Sequence, residues 1–260
     1  EQLKIDKSKI IISPELVADM NYFPKKNFLI SVPGKNGGIY KFSPSENKLR
    51  RVFKGSVRGI VKVKNNYVCA DEDEGVLILD KKFKIIRKKK LNYMSNPHSI
   101  DHDKKNNVIY LAITALDCVY KISYPSLKIL KKILIFKESS YDKHHINGLK
   151  YHNNNLFLSV FSKKGIFRKD IWNDGSIIKY NLKTNKKKII EKNLFQPHSV
   201  QIDGKSIHAC NSMKFEILIN LKKKIQFNGY SRGLLVEKDY IMVGLSKVRR
   251  LNRFKFLKKF

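Results

Sequence analysis

The stretch NPHSIDHDKKNNVIYLA at residues 96–112 returns in altered form as QPHSVQIDGKSIHACN at residues 196–211. Both stretches carry Pro-His-Ser, an aliphatic residue, a polar turn and a second apolar run. Apolar runs rich in β-branched and aromatic residues around Asn-Asn or Asp-Gly turns are typical of β-hairpins. The two stretches therefore indicate a repeated hairpin.

The same pattern, a variable position followed by a small residue and an aliphatic residue, then a turn and an apolar run, occurs six times along the chain. The copies start at Ala18, Arg58, His98, Asn147, His198 and Arg232. Further apolar segments such as CVYKIS and GSIIKYN follow the hairpins, and basic segments such as KIIRKKKL and KKIIEKNL follow those. Four strands in each of six repeats predict an all-β fold, a six-bladed β-propeller with four-stranded blades.

We expect this propeller to form a single domain over residues 1–260, because no Pro/Gly/Ser-rich linker interrupts the repeats. The last copy has few residues after its second strand. We expect either that the N-terminal segment LKIDKSKIII supplies its outer strand or that the chain is truncated at the C-terminus. The sequence does not indicate the oligomeric state.

The chain is strongly basic, with 54 Lys and Arg against 22 Asp and Glu and a formal net charge of +32. Such a charge suits an anionic partner. Most of the basic residues are Lys, and they are dispersed along the chain, which does not favour forked phosphate recognition. We therefore predict a small anionic ligand and no specific nucleic-acid site.

The three cysteines, Cys69, Cys118 and Cys210, are far apart, and each lies in an apolar run. This usage predicts free, buried thiols and a cytoplasmic protein. No apolar run approaches the roughly 20 residues that a membrane-spanning helix needs, so we predict no membrane span.

The variable position that opens each repeat is polar in five of the six copies. Innermost strands of a propeller line its central axis, so we expect these side chains to project into one cavity, with His145 on the same face as Asn147. The alternative is that each caps a neighbouring backbone carbonyl. The five residues are Arg58, His98, Asn147, His198 and Arg232.

The residue types in this set suit two kinds of chemistry. His98, His145 and His198 are the predicted catalytic residues, either as general acids and bases or as ligands of a divalent transition metal such as Zn, Mn, Fe or Ni. Arginine forks match a carboxylate or a phosphate, so Arg58, Arg232 and Asn147 are the predicted substrate-binding residues.

The Pro-His-Ser boxes, HHINGLKY at 144–151 and YSRGLLVEKDYIMVGLSKVR at 230–249 resemble an uncharacterised bacterial family of propeller-like proteins. More distantly, the architecture looks like that of six-bladed propeller lactonases and lyases, although their acidic metal ligands are not evident here. The resemblance implies the fold and no particular activity. The matching residues are Pro197, His198, Ser199, Asn211, Ser212, Arg232, Gly233, Leu234 and 243–247.

These features leave two main hypotheses for function. The first is a propeller enzyme of the hydrolase or lyase type that acts on a small anionic substrate, such as a sugar acid or a sugar phosphate. The alternative is a non-catalytic binding propeller that recognises a glycan or a protein partner.

Overall fold

The computed structural model describes residues 26–92, 94–136, 141–169 and 172–246. These residues form 21 β-strands and three short 3-10 turns, with no α-helix among them. Every strand pairing is antiparallel, and the strands of each sheet follow one another in sequence order. The predicted all-β class, without long helices, is confirmed for this part of the chain.

The chain divides into two compact units, Glu1–Tyr93 and Met94–Phe260. The first unit contains a three-stranded sheet, β1 to β3, and a four-stranded sheet, β4 to β7. That a single domain spans the chain stays a prediction. The strands of the first unit are β1 (Phe28–Val32), β2 (Gly38–Ser43), β3 (Lys48–Lys54), β4 (Val57–Val63), β5 (Asn66–Asp71), β6 (Gly75–Leu79) and β7 (Ile85–Lys89).

The second unit contains three four-stranded sheets and a final two-stranded hairpin. The first two sheets are formed by β8 (Pro97–Asp103), β9 (Val108–Ile113), β10 (Cys118–Ser123), β11 (Ile129–Leu134), β12 (Ile146–His152), β13 (Asn155–Val160), β14 (Gly175–Asn181) and β15 (Lys187–Leu194). The third sheet and the hairpin are formed by β16 (Pro197–Asp203), β17 (Ser206–Asn211), β18 (Glu216–Ile219), β19 (Lys223–Gln226), β20 (Tyr230–Val236) and β21 (Ile241–Ser246).

Asparagine supplies the left-handed backbone that tight hairpin turns require. Asn107 has a φ of 50°, and Asn153 and Asn154 have φ angles of 47° and 59°. Asn tolerates this conformation better than most residues because its short side chain hydrogen-bonds locally. The turns predicted at these positions are therefore confirmed.

Hydrophobic clusters pack consecutive sheets face to face within each unit. In the second unit, one cluster joins Ala112 and Val119 of the first sheet to Leu149 and Leu158 of the next, and another joins Phe157 to Ala209 of the third sheet. Each sheet thus buries apolar side chains against its neighbour, which a single blade cannot do alone. The innermost strands β8, β12, β16 and β20 also lie next to one another in sequence order.

These sheets are the blades of a β-propeller, as predicted, but the predicted number of complete blades is wrong. The described residues form five sheets of three or four strands, and the sixth copy contributes only the β20–β21 hairpin. Residues 1–25 and 247–260, which would have to provide the remaining strands, lie outside the described residues. The innermost strand expected from Ala18 and the closing strand expected from LKIDKSKIII both fall within residues 1–25 and so lie outside the described residues.

Candidate functional site

Each of the five innermost strands that the structure describes contains a β-bulge at or beside the polar position that opens the repeat. One extra residue lies between the paired residues Val57 and Gly59 in β4, and the same irregularity follows Pro97, Ile146, His198 and Ser231. A bulge breaks strict alternation of faces and re-aims the side chain beside it. Strict alternation of faces, from which the sequence analysis placed these side chains, therefore does not hold at these positions.

The serine of each Pro-His-Ser box connects one blade to the next in the second unit. Ser99 Oγ donates a hydrogen bond to the Leu149 carbonyl at 3.3 Å, and Ser199 Oγ donates to the Arg232 carbonyl. Thr114, the first residue of the 3-10 turn after β9, also connects two blades, since its Oγ1 donates to the Ile146 carbonyl at 2.6 Å. The repeated box thus has a structural task that the sequence reasoning missed.

The imidazole of His198 is part of this packing. The side chain is buried to 4% exposure, and its Nδ1 lies 2.8 Å from Ser212 Oγ and 3.1 Å from the Gln196 carbonyl. A carbonyl can only accept, so Nδ1 carries the proton of the neutral ring. Its ring also meets Phe161 and Tyr230 edge-on. This environment favours a packing role over the predicted catalytic role.

The loop at 141–145 leads into β12 and is held by a buried carboxylate. Asp117 Oδ2 accepts the backbone N–H groups of Lys143 and His144 at 2.7 and 2.9 Å, and the Asp142 N–H donates to the Ala115 carbonyl at 2.9 Å. Burial raises the pKa of the Asp117 carboxyl, and the two N–H groups act against that rise. These hydrogen bonds fix the backbone of the loop that carries Asp142 and His145.

The loop at 141–145 positions His145 against Asp142. His145 Nδ1 lies 2.7 Å from Asp142 Oδ1, and both residues have left-handed φ angles, 54° and 50°. Non-glycine residues hold such angles at a cost that surrounding structure must offset, and they cluster at functional sites. His145 therefore lies in a loop, not on the extended strand that the sequence reasoning assumed.

The carboxylate of Asp142 determines which ring nitrogen of His145 is available. A carboxylate accepts, so the neutral ring carries its proton on Nδ1 and its lone pair on Nε2. The His145 side chain keeps 19% of its surface exposed, and Nε2 has no hydrogen-bond partner among the described residues. A carboxylate-oriented imidazole with an open Nε2 is suited to general acid–base catalysis.

Two phenylalanines enclose the ring of His145. The centroids of Phe161 and Phe167 each lie 4.4 Å from the imidazole centroid. Phe167 comes from the loop after β13, and its N–H donates to the Lys143 carbonyl. This loop thus contributes an apolar side chain that packs against the imidazole.

His144 has the opposite environment. Its ring stacks on Phe136 with centroids 3.4 Å apart, and its Nδ1 lies 2.8 Å from the Ser162 carbonyl. Burial lowers the pKa of His144, and the Ser162 carbonyl acts against that change. His144 is therefore a packing residue.

Aromatic rings connect His145 to the arginine of the last hairpin. Phe161 touches both His145 and His198, the ring of His198 lies 5.4 Å from that of Tyr230, and the Arg232 guanidinium lies 5.9 Å from the Tyr230 ring. Within the second unit, the structure thus relates three of the predicted site residues through shared ring contacts.

Asn147 and His98 lie on the inner strands β12 and β8. Asn147 is buried, its Oδ1 accepts from Ser159 Oγ at 2.7 Å, and its Nδ2 has no partner among the described residues. His98 is half-buried on β8. Their roles in substrate binding and catalysis stay predictions.

Arg58, in the first unit, has a partner that the sequence reasoning missed. Its Nε donates to Glu72 Oε1 at 2.7 Å, and Nη2 donates to the same oxygen. The acidic cluster at 71–75 is therefore partly structural, since Asp71 Oδ1 also accepts the N–H groups of Asp73 and Glu74. The predicted convergence of Arg58 with residues of the second unit stays a prediction.

Metal-binding groups are dispersed in the part of the chain that the structure describes. No three His, Cys, Asp or Glu side chains come together there to hold a metal ion, so His98, His145 and His198 do not form a ready ligand set. A metal at this site stays an untested prediction. Cys69, Cys118 and Cys210 are free and buried, as predicted, and burial raises the pKa of each thiol to about 12.

Consecutive antiparallel blades and a polar loop at the start of an inner strand define the class, a β-propeller protein with a candidate acid–base site. The chain belongs to the family described as domain of unknown function DUF4915, which matches residues 47–259. The expected membership of an uncharacterised family is thereby confirmed. No protein of curated function is significantly similar to the chain in sequence.

Solved structures with the same fold have diverse functions. A chain of a nidogen/laminin complex has a TM-score of 0.63 at 11% identity, covering 84% of this chain and 85% of that one. A streptogramin B lyase has a TM-score of 0.61 at 16% identity, covering 85% and 76%. An auxiliary nutrient binding protein from Bacteroides thetaiotaomicron VPI-5482 has a TM-score of 0.59 at 13% identity, covering 86% and 64%. At these identities the likeness shows the fold alone.

Among the described residues, no helix is both long and apolar enough to cross a lipid bilayer.

Proposed function

We propose that this protein is a propeller enzyme of the hydrolase or lyase type in which His145, oriented by Asp142, is the general acid–base for a small anionic substrate. The observation that carries this proposal is the 2.7 Å contact between His145 Nδ1 and Asp142 Oδ1, which leaves Nε2 open. A streptogramin B lyase with the same fold is consistent with this class of chemistry.

The pair formed by His145 and Asp142 would act by moving one proton at His145 Nε2. In a lyase, Nε2 takes the proton from the carbon next to a carboxylate, the C–H electrons form a double bond, and the leaving oxygen departs with a proton returned by the imidazolium. In a hydrolase, Nε2 takes a proton from water as the water oxygen attacks the electrophilic carbon or phosphorus of the substrate, and the imidazolium returns that proton to the leaving oxygen as its bond to the substrate breaks. In both cases Asp142 stabilises the imidazolium that forms.

Arg232 is the proposed anion-binding residue of the second unit. Its guanidinium lies against Tyr230 and belongs to the same set of ring contacts that includes His145. A guanidinium beside an aromatic face pairs well with a carboxylate or a phosphate. A sugar acid or a sugar phosphate fits this combination of a cation, aromatic rings and an acid–base group.

The test is a panel of sugar acids and sugar phosphates, measured for binding by calorimetry and for turnover by product analysis. We expect wild type to convert at least one compound and His145→Gln to bind it but convert it roughly 100-fold more slowly or worse. His152→Gln is the matched control, because His152 ends the same strand and bonds to Asn153.

Two results would contradict the proposal. Equal turnover by wild type and His145→Gln would remove His145 from the chemistry. Binding without turnover would favour the alternative, a non-catalytic binding propeller, and an auxiliary nutrient binding protein is among the solved structures with the same fold.

A further inference from the structure

The outermost strands of the described blades carry lysines on an exposed surface. Most residues of β7, β11, β15 and β19 are exposed, and each of these strands carries at least two basic residues. Lysine on an edge strand hinders pairing with the edge of another molecule. Edge protection explains the lysines but not the aliphatic residues beside them.

Large aliphatic side chains are exposed on the same outer strands. In the second unit, Leu130 and Leu134 of β11 are 49% and 47% exposed, and Ile189 of β15 is 45% exposed. Exposed apolar groups on a sheet edge are a liability in water, and contiguous ones commonly mark an interaction site. A binding partner for this surface should therefore suit both aliphatic side chains and lysine ammonium groups.

We name the two outer strands with their flanking residues the outer-strand patch and define it as residues 128–134 and 183–192. Lys187 links the two blades, since its Nζ donates to the carbonyl of Ile135, the residue after β11, at 3.1 Å and lies 4.3 Å from the centroid of the Phe136 ring. The patch contains eight lysines and one acidic residue, Glu191. Its charge is therefore strongly positive.

We propose that the outer-strand patch docks on an anionic phospholipid surface. Lysine ammonium groups pair with lipid phosphates, while leucine and isoleucine side chains enter the boundary between headgroups and acyl chains. Single-stranded nucleic acid is the less suitable partner, because its binding uses aromatic stacking and arginine. The patch contains no aromatic residue and no arginine.

The test is cosedimentation of the full chain with vesicles of phosphatidylcholine alone or mixed in equal parts with phosphatidylglycerol. We expect binding to the mixed vesicles only. Leu130→Ser with Leu134→Ser, and separately Lys131→Gln with Lys132→Gln, should each weaken binding roughly tenfold. Melting temperatures of the variants, compared with wild type, establish that each is folded.

The matched control is Lys222→Gln with Lys223→Gln. This pair lies at the start of the outer strand β19, is exposed, and has no exposed large aliphatic neighbour on that strand. We expect the control to bind within about threefold of wild type. Salt screens interactions between exposed charges, so two lysines outside the patch should contribute little to the binding free energy.

Three results would overturn the proposal. No binding to the mixed vesicles would exclude lipid as the partner. An equal loss of vesicle binding in the control and in the patch lysine variant would show that binding depends on the net charge of the protein and not on the patch. Unchanged vesicle binding by the leucine variant, together with tight binding of all variants to an RNA duplex, would show a general polyanion binder.

Discussion

The entries to two neighbouring inner strands each bear a histidine, and their environments differ. At the start of β16, His198 is buried and its Nδ1 donates to a hydroxyl and a carbonyl. Before β12, His145 is partly exposed and its Nδ1 meets a carboxylate. The difference teaches that the partner of Nδ1 and the access to Nε2 determine which imidazole is chemically available, whereas its place in the repeat does not.

The largest expected effect tests the carboxylate half of this comparison. Asp142→Asn removes the charge that stabilises the imidazolium and allows the amide to donate to Nδ1, which shifts the ring proton to Nε2. We expect kcat/KM for the substrate found in the panel to fall roughly 100-fold or more. Steady-state kinetics measures the change.

Asp103→Asn is the control for this substitution. Asp103 is also a buried carboxylate, but it caps the β8–β9 turn through Asn106 and has no contact with His145. A similar loss of activity in both variants would indicate general destabilisation and contradict the role of Asp142.

The packing half of the comparison predicts a stability effect. His198→Ala leaves a cavity and deprives Ser212 of its donor, so we expect the free energy of unfolding to fall by about 3 kcal/mol. His145→Ala, at a partly exposed position, should cost about 1 kcal/mol or less. Urea unfolding of both variants measures this difference, and the reverse order would break the comparison.

Chemical modification sharpens the comparison without a known substrate. Diethyl pyrocarbonate acylates an accessible, unprotonated imidazole nitrogen. Buried rings must wait for local opening, so we expect His145 to react at least about tenfold faster than His144 and His198. Mass spectrometry of timed digests measures all three rates in one sample, and a faster His198 would contradict the assigned burial.

The smallest expected effect concerns a histidine that is not part of the candidate site. His208 is buried, its Nδ1 accepts the Asn220 N–H at 3.3 Å, and burial lowers its pKa, an effect that nearby Asp203 partly offsets. The unfolded state therefore binds a proton first as the pH falls below the ordinary histidine value of 6.5. Stability should decline there by up to about 1.4 kcal/mol per unit of pKa difference.

His208→Asn provides the comparison for this pH dependence. The amide oxygen can replace Nδ1 as an acceptor without titrating. We expect the unfolding free energy of the variant to depend less on pH between neutral and mildly acidic conditions, while His144 still titrates in both proteins. Identical slopes would show that His208 does not contribute.

The strands were predictable because their signals are local. The segments CVYKIS, GSIIKYN and KKIIEKNL coincide with β10, β14 and β15. The number of complete blades was not predictable from local signals, because it depends on which segments distant in sequence pair with each other. The segments in question lie outside the described residues.

The bulges have a signal in the sequence, a glycine beside the polar position. Gly59, Gly148 and Gly233 directly follow Arg58, Asn147 and Arg232, and glycine inside a strand commonly marks a bulge. At Gly148 an added Cβ would lie 2.2 Å from Ser159 Oγ, so close packing requires glycine there. The Pro-His-Ser copies carry serine at this position and use its hydroxyl to bond the next blade.

The dyad was only half predictable. His145 was selected by its spacing from Asn147, but its partner Asp142 depends on left-handed backbone at both residues, which alternation along a strand cannot indicate. Likewise, Glu72 is fourteen positions after Arg58 in sequence and reaches it only because β4 and β5 pair as a hairpin.

The most direct measurement is the tautomer of His145, read from long-range proton–nitrogen correlations of nitrogen-15-labelled protein at a pH where the ring is neutral. The account predicts a proton on Nδ1 and a lone pair on Nε2 in wild type, with a shift toward the Nε2-protonated form in Asp142→Asn. A wild-type His145 that carries its proton on Nε2, or that is unaffected by Asp142→Asn, would contradict the claim that Asp142 prepares His145 for acid–base chemistry.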